Sequence, residues 1–415
     1  MASKTLPLDG VKVLDMGRLF AAPFATQMMG DFGAKVIKIE RPGRGDEFRH
    51  YGPPYLHDED GKPNPLGPEA PGYIAVNRNK LSVTLDFQSP RGQELLKEMI
   101  KGCDVFVENY KVGVLKKYGL DFESLKAINP KIIYLSVTGF GQDGPYSERP
   151  GTDIVFQSMS GMMSITGDPD GPPVRSGLVL ADMITGFYAA NAVLLALRAR
   201  DQQGADAQHL DIALLDCTVS AMTNKAIEYF MTGDVPHRLG NRVKGSVPAQ
   251  IFRCSDGDLN VQASAEPDFR RLCAALGVAE LAEDPRFSVR QARAVNADAL
   301  EPLLAEKFLT RTVSDWYETL VAADIIVAPI YTVDQCFADP QVKHRGLART
   351  VSHPFAGEVT LLTNPIRIDG QAPQTYRHPP MLGEDTAQVL ADELGLSAEQ
   401  IEELKASGIA GVQGT

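Results

Sequence analysis

The 415-residue sequence predicts an α/β protein built around a parallel sheet. Its first half alternates short apolar strands with helices. It begins with VKVLDM at 11–16 and KVIKIE at 35–40, with a helix that starts near Pro23 between them. Strands joined through a helix form βαβ units, in which the strands run parallel. Ligands of such sheets bind beyond the carboxyl ends of the strands, so we expect functional residues in the loops that follow them.

The alternation continues along the chain. A helix at 92–100 precedes the strand DVFVEN at 104–109, and the strand KIIYLSV at 131–137 follows. Residues 42–72 are rich in proline and glycine without periodicity, which predicts a long surface loop of the kind that often carries function. Residues 182–200 are apolar almost all round and predict a central helix buried on several faces.

A smaller domain is predicted after a linker. A strand at 209–216 and an apolar helix from Cys217 close the first part of the large domain. A hairpin around an Asp-Gly turn, followed by helices, predicts an α+β domain, and the tail returns to strands and a polar helix. The predicted divisions are a large ligand-binding domain at 1–225, a linker at 226–248, a small domain at 249–325, and a return segment at 326–415 that completes the large domain.

Composition and charge exclude several classes of function. A net charge of -12 argues against nucleic-acid binding, which needs clustered Lys and Arg. We find no apolar run of the ~18 residues that a membrane span needs, and the N-terminal stretch has neither a signal-peptide core nor a transit-peptide pattern. Five cysteines without a C-x-x-C pair predict neither a disulfide framework nor a zinc ribbon. We expect a cytoplasmic protein without nucleic-acid or membrane partners.

The charge is distributed unevenly. Residues 1–117 contain 17 Lys and Arg against 15 Asp and Glu, so the acidic excess lies in the rest of the chain. Several basic residues fall at or just after strand ends, where they either bind an anionic ligand or are solvated surface charges. These residues are Arg41, Arg44, Arg78, Lys80, Lys111, Lys116 and Lys117.

Asp182 is the candidate for chemistry. It follows the apolar LVLA and opens the predicted central helix. An aspartate there is either an N-cap or a nucleophile that the helix dipole keeps ionised. The histidines show no i, i+4 pair, so we expect no metal site. Neither a G-x-S-x-G elbow nor a phosphate-binding glycine motif occurs, although small residues at Ala21, Ala22 and Pro23 would let a ligand approach a helix N-terminus.

Five segments spread over the chain share their pattern and order with a known family. They are LDGVKVLDMGRLFAAPFATQMMGDFGAKVIKIERPGRGD at 8–46, NRNKLSVTLDF at 77–87, CDVFVENYKVGVLKKYGLD at 103–121, SVTGFGQDGPYSERPGTDIVFQSMSGMMSITG at 136–167, and LADMITGFYAANAVLLAL at 180–197. Together they resemble the family III CoA-transferases, which include formyl-CoA and carnitine CoA-transferases.

The resemblance implies a Rossmann-like large domain with a parallel sheet, built from both chain ends. It also implies a smaller inserted α+β domain and an interlocked homodimer. The family's D-x-x-x-G motif falls on Asp182 and Gly186 and makes Asp182 the catalytic nucleophile. Coenzyme A would be the transferred substrate, with no tightly bound cofactor, and an acyl-CoA and a carboxylic acid would be the partners. The implied CoA contacts are Phe20, Ala21, Arg41, Asn79, Lys80, Asn109, Tyr110, Lys117 and Thr138.

The family's mechanism proceeds through an aspartyl anhydride and an aspartyl-CoA thioester. Two alternatives stay open: a 2-methylacyl-CoA racemase of the same superfamily and a non-catalytic CoA-binding protein. The racemase histidine corresponds to Thr152 here, which cannot act as an imidazole base. Lys117 replaces the arginine of some members, and the loop at 263–268 replaces a glycine-rich lid. Dicarboxylic acids such as succinate would be held by Arg175 or by the group of Arg238, Arg242 and Lys244, unless these are solvated charges.

Overall fold

Eleven strands lie within residues 6–373 and 376–411, which are the residues that the computed structural model describes. In chain order they are β1 (Lys12–Met16), β2 (Lys35–Glu40), β3 (Lys80–Thr84), β4 (Val105–Glu108), β5 (Ile133–Thr138), β6 (Gln208–Ala213), β7 (Ala249–Arg253), β8 (Asp258–Gln262), β9 (Ile326–Pro329), β10 (Ala348–His353) and β11 (Gly357–Leu362). The predicted strands near 11–16, 35–40, 104–109 and 131–137 are therefore confirmed.

The first six strands form one parallel sheet in the order β3-β2-β1-β4-β5-β6. This is the strand order of a doubly wound fold, in which the direction of winding reverses between β1 and β4. The carboxyl ends of those two strands diverge into a crevice, where such folds bind ligands. The predicted α/β class with a parallel sheet is confirmed.

Helices cover both faces of the sheet. They are α1 (Ala21–Asp31), α2 (Pro71–Val76), α3 (Pro90–Lys101), α4 (Phe122–Ile128), α5 (Asp153–Met159), α6 (Leu180–Gln203), α7 (Leu214–Ser220), α8 (Thr223–Thr232), α9 (Glu266–Ala275), α10 (Glu280–Glu283), α11 (Arg290–Val295), α12 (Ala297–Phe308), α13 (Val313–Ala322), α14 (Val333–Ala338), α15 (Pro340–His344), α16 (Thr386–Leu394) and α17 (Ala398–Ala406). Short 3-10 helices occur at Glu47–His50, Leu115–Tyr118 and Met163–Ile165.

Successive side chains of a strand point to opposite faces of the sheet, so the strands contribute to an apolar core on each face. Leu14 of β1 and Phe106 of β4 are buried in a cluster with side chains of α3, α4, α16 and α17. Val13 and Val105, one residue earlier on each strand, are buried in a second cluster with α1 and α6. Because both faces of the sheet are covered by apolar side chains, strands such as β4 and β5 consist largely of apolar residues in the sequence.

Helix α6 is longer and less buried than the sequence predicted. By length and composition alone, its 24 residues would suffice to cross a membrane, a test that core helices of soluble proteins also pass. One face carries Ala189 and Val193 into the core against α1. The other face is apolar but open, with Leu195 70% exposed and Phe187 48% exposed. The prediction of burial on several faces is therefore wrong for this chain on its own.

The chain divides into two compact units at positions that differ from the predicted ones. The larger unit contains the residues up to Gly161, Ser176–Asn224 and the chain from Arg345 onward, and the smaller contains Met162–Arg175 and Lys225–His344. The small unit continues beyond 325 because β9 pairs with β8 in its sheet. Part of the predicted linker at 226–248 is helical, since α8 runs to Thr232.

The smaller unit has its own sheet and core. Strands β7, β8 and β9 form an antiparallel sheet, and the first two are the predicted hairpin. Phe252 stacks on Phe308 at 4.6 Å within a cluster that also includes Trp316. Arg293 is fully buried and donates to the carbonyl oxygens of Val247, Phe287 and Ser264 at 2.7–2.8 Å.

The return segment attaches to the edge strand of the large sheet. Asp385 and Thr386 accept hydrogen bonds from the backbone N–H groups of Ser82 and Thr84 on β3, at 2.9 and 3.0 Å. Strands β10 and β11 pair as a separate antiparallel hairpin, which fits the predicted return to strands in the tail. Both ends of the chain therefore belong to the larger unit.

Candidate active site

A cavity of about 410 Å³ opens at the carboxyl edge of the sheet, within the larger unit. Its size lies in the range of small-molecule sites. The walls come from the loops after β1, β4 and β5 and from the first turn of α6. Its lining includes Arg18, Phe20, Ala21, Phe48, Tyr51, Asn109, Tyr110, Lys111, Thr138, Gly139, Arg149, Thr152, Asp153 and Asp182. The sequence predicted six of these as site residues: Phe20, Ala21, Asn109, Tyr110, Thr138 and Asp182.

Asp182 lies in the first turn of α6 but does not cap it. The helix begins at Leu180, and Val179 is the N-cap residue. The capping carboxylate is that of Asp153, whose Oδ1 accepts hydrogen bonds from the N–H groups of Ala181 at 2.7 Å and Asp182 at 3.4 Å. The N-cap alternative for Asp182 is thereby excluded. Among the described residues, no group donates a hydrogen bond to the Asp182 carboxylate.

The electrostatics of Asp182 differ from the prediction. We expected the helix N-terminus to favour the ionised carboxylate. Instead, burial and the negative charge of Asp153 raise the pKa of Asp182 to about 7. Near neutral pH the ionised and protonated forms of Asp182 are therefore both populated. Asp153 also accepts hydrogen bonds from the N–H groups of Ala181 and Asp182 in the first turn of the helix.

A second side chain holds Asp153 in place. Gln157, one turn later on α5, donates from Nε2 to Oδ2 of Asp153 at 2.6 Å. Its Oε1 accepts a hydrogen bond from the N–H group of Ser176 at 2.9 Å. Gln157 is fully buried, so this arrangement connects α5 to the segment that enters α6.

Gly186 in the D-x-x-x-G pattern has a packing role. A Cβ atom at this position would lie 3.0 Å from the carbonyl oxygen of Ala21 and 2.7 Å from the ring of Phe24. Helices α1 and α6 therefore approach closely only with glycine here. This contact brings the first turn of the chain, with Phe20 and Ala21, beside the helix that carries Asp182.

The loop after β4 supports the loop after β1. Asn109 accepts a hydrogen bond from the N–H of Arg18 at 2.9 Å and donates to its carbonyl oxygen at 2.7 Å. The Arg18 guanidinium lies 4.3 Å from the centre of the Tyr110 ring and 3.1 Å from Glu47. Thr138, at the end of β5, accepts from the N–H of Gly141 at 3.0 Å. Asn109 and Thr138 thus shape the cavity through backbone contacts.

Two predicted CoA contacts serve the fold instead. Lys80 is fully buried, and its Nζ donates to Asp15, to the Pro23 carbonyl and to Asn77 at 2.8–3.0 Å. All three ammonium protons are used, so none is left for a phosphate. The Asn79 side chain donates to Asp31 at 2.8 Å and accepts from the N–H of Arg377 at 2.6 Å. Neither residue lines the described cavities.

The remaining two predicted contacts differ from each other. Arg41 lines a smaller cavity of about 120 Å³ that shares Arg18 and Tyr110 with the first. Lys117 is exposed on the 3-10 helix after β4 and lines neither cavity. The structure therefore groups Arg41, and not Lys117, with the candidate site.

The basic residues predicted to hold a second carboxylate have partners in the smaller unit. Arg238 donates to the carbonyl oxygens of Asp168 and Gly171 at 3.0 and 2.8 Å. Arg242 pairs with Asp298 and Glu301, and Lys244 pairs with Glu228. Among the residues that the structure describes, no group of three His, Cys, Asp or Glu side chains could hold a metal ion.

Sequence reasoning missed several polar residues of the cavity, among them Arg18, Arg149 and Asp153. Arg18 and Asp153 lie within the quoted segments, and Arg149 precedes the Gly151-Thr152-Asp153 motif by one proline. These residues could have been recognised from the sequence because they lie in the segments that follow β1 and β5. The same criterion, a position after a strand end, was applied to the predicted lysines and arginines.

Comparisons with known proteins agree over almost the whole chain. The family model for CoA-transferase family III matches residues 8–386. A succinate–glutarate CoA-transferase of Agrobacterium fabrum is 38% identical, covering 94% of this chain and 97% of that protein. A human succinyl-CoA:glutarate CoA-transferase is 36% identical over 97% of this chain and 90% of its own length. The crystal structure of a CAIB/BAIF family protein from Brucella suis has a TM-score of 0.85 and 39% identity, covering 94% of this chain and all of that one.

Proposed function

Because the chain belongs to CoA-transferase family III, and is thus a CoA-transferase, we propose that it transfers CoA between dicarboxylic acids with Asp182 as the nucleophile. The observation that carries the proposal is the position of the Asp182 carboxylate in the cavity at the carboxyl edge of the sheet, without a hydrogen-bond donor among the described residues. Such a carboxylate is free to attack a bound thioester. The names of the two relatives support succinate and glutarate as the acids.

The transfer proceeds in four steps that need no ATP. An oxygen of the Asp182 carboxylate attacks the thioester carbonyl, the C–S bond breaks, and CoA leaves as the thiolate, which gives a mixed anhydride. The thiolate then attacks the carbonyl carbon of Asp182 and releases the donor acid as its carboxylate. The acceptor carboxylate attacks the carbonyl carbon of the resulting aspartyl-CoA thioester, the C–S bond breaks, and CoA leaves again as the thiolate, which gives a second anhydride. The thiolate finally attacks the acceptor's acyl carbon and restores the Asp182 carboxylate.

The cavity walls suit the two parts of the substrate. We assign the CoA moiety to the side formed by Phe20, Ala21 and Tyr110, which continues into the smaller cavity with Arg41. The reacting carbonyl lies beside Asp182, where the ends of β5 and α6 meet. Thr152 lines this part of the cavity, so the position of the racemase histidine offers no imidazole base, which favours transfer over racemisation. A non-catalytic role is disfavoured because Asp182 is retained in the cavity.

We also propose a cytoplasmic homodimer with no tightly bound cofactor. The open apolar face of α6, with Leu194 and Leu195, continues on Val219, and a second copy would bury it. The five free cysteines fit a reducing compartment. Sedimentation of the purified protein tests the dimer, and a monomer at micromolar concentration would contradict it.

Asp182→Asn is the direct test of the mechanism. The amide is nearly isosteric but is a poor nucleophile, so CoA transfer should fall by at least about 1,000-fold while CoA binding is kept. After incubation with succinyl-CoA, mass spectrometry should find a covalent CoA adduct on the peptide that contains Asp182 in the wild type only. An adduct on another residue, or a variant with nearly wild-type turnover, would overturn the assignment.

A further inference from the structure

Three basic side chains line the cavity with Asp182, and they differ in their partners. Arg18 is paired with Glu47 at 3.1 Å and lies over the Tyr110 ring. Lys111 follows Tyr110 directly and so belongs to the wall assigned to CoA. Arg149 belongs to the loop between β5 and α5. Among the described residues, no carboxylate lies within ion-pair distance of Arg149, so its charge is available to a ligand.

A ring contact orients the guanidinium of Arg149 and leaves its N–H groups available as hydrogen-bond donors. The guanidinium lies 3.8 Å from the centre of the Tyr146 ring, and the backbone N–H of Arg149 donates to the Tyr146 carbonyl oxygen at 2.9 Å. Stacking of this kind engages the flat face of the guanidinium and leaves its in-plane N–H groups free. These groups form the fork that fits a carboxylate with two parallel hydrogen bonds.

The loop that carries Arg149 is joined to the helix that carries Asp182, and both side chains line the same cavity. Three residues separate Arg149 from Asp153, which is bonded to the first turn of α6. The path between them is packed tightly, because a Cβ atom on Gly151 would lie 2.2 Å from the ring of Phe156. Arg149 and Asp182 are thus tied to the same wall through Asp153.

We propose that Arg149 is the specificity residue that binds the remote carboxylate of a dicarboxylic substrate while the reacting carboxyl group lies at Asp182. The inference rests on the proposed function and adds the group that selects the acid. A monocarboxylic acid of similar length would leave the arginine without its anion. An acid with a neutral amide at the far end would keep the shape but lose the charge-assisted pair.

The test compares two acceptors that differ only at the far end, glutarate and its monoamide, glutaramate. With succinyl-CoA held constant as donor, kcat/KM is measured for each acceptor in the wild type and in Arg149→Gln, Arg149→Lys and Lys111→Gln. The ratio of the two kcat/KM values should fall about 10- to 100-fold in Arg149→Gln, because a charged hydrogen-bonded pair is lost. It should fall less in Arg149→Lys, which keeps the charge without the fork, and stay within about twofold in Lys111→Gln.

The outcomes separate the two proposals. If Arg149→Gln lowers kcat/KM equally for both acids, the arginine acts on CoA or on the fold, and the inference is overturned while the transferase assignment stands. If the wild type itself does not prefer glutarate, the dicarboxylate part of the proposed function fails, and the inference with it. Thermal melting is measured for every variant, so a protein that has lost its fold is recognised by a melting temperature below that of the wild type, independently of substrate binding.

Discussion

A fully buried and a partly buried aspartate of the larger unit, Asp15 and Asp182, show opposite electrostatics. Asp15 accepts hydrogen bonds from Thr26 at 2.6 Å, Gly17 at 2.8 Å and Lys80 at 3.0 Å. Burial alone would raise its pKa, but Lys80 and Lys38 outweigh that effect and lower it. Asp182 has no such partners, and burial with the nearby Asp153 raises its pKa to about 7.

The difference separates a structural region from a reactive one. The region around Asp15 continues through Lys38 and Asp46, a buried pair at 2.9 Å, and fixes the loops after β1 and β2. Its charges are compensated inside the protein and cannot act on a ligand. At Asp182 the compensation is missing, which costs stability and leaves a reactive carboxylate.

The largest effect is expected when one partner of the compensated region is removed. Lys80→Met leaves the Asp15 carboxylate buried without its main cation, and we expect a loss of about 3–5 kcal/mol in the free energy of unfolding. Urea denaturation measures it. The double variant Asp15→Asn with Lys80→Met removes both charges and should regain a large part of the loss. A single variant as stable as the wild type would contradict the structural role of Lys80.

The fold was more predictable than the site because apolar periodicity reports burial directly. Strand β2 was predicted to the residue, since three β-branched apolar residues, Val36, Ile37 and Ile39, lie within its six positions. Strand β9 was assigned to the wrong unit because its pattern does not say with which strand it pairs. One helix was predicted from Cys217, whereas the structure has α7 to Ser220 and α8 from Thr223 to Thr232, and the predicted linker overlaps the second of them.

Only part of the site could be predicted, because the sequence does not show which side chains contact each other in the fold. A lysine at a strand end looks the same in the sequence whether it binds a phosphate or an aspartate, so Lys80 was misassigned. Asp153 was missed as a partner of Asp182 because 29 residues separate them, and only the packing of α5 beside α6 brings them together. Asp182 itself was found through resemblance and position, but its pKa is raised first by burial and then by the charge of Asp153, and neither can be read from the local sequence.

A second prediction concerns the stability that is lost when Asp182 ionises in the folded protein. The folded protein holds a proton on Asp182 up to about pH 7, whereas the unfolded chain releases it near pH 4, so this group lowers stability as pH rises between those values. Asp182→Asn cannot ionise and should be more stable than the wild type at pH 8 by about 1–3 kcal/mol. The gain should shrink as the pH approaches 4. Melting of both proteins across this range measures it, and a gain that does not depend on pH would point to a cause other than the titration of Asp182.

The smallest expected effect is a shift in the pH dependence of activity, which tests how the charge of Asp153 contributes to the raised pKa of Asp182. Asp153→Asn keeps an oxygen that can accept from the N–H groups of Ala181 and Asp182 but removes the negative charge beside the nucleophile. Attack on the donor thioester needs the ionised carboxylate, so kcat/KM for succinyl-CoA should rise with pH up to about 7 in the wild type and then level off. In the variant, the midpoint of this rise should move down by about one pH unit, because one of the two causes of the raised pKa is gone. Asp153→Glu is the matched control, since it keeps the charge and should keep the midpoint near the wild-type value. A midpoint that stays in place in Asp153→Asn would mean that burial alone sets the pKa of Asp182, and the electrostatic contrast with Asp15 would then rest only on the missing cation.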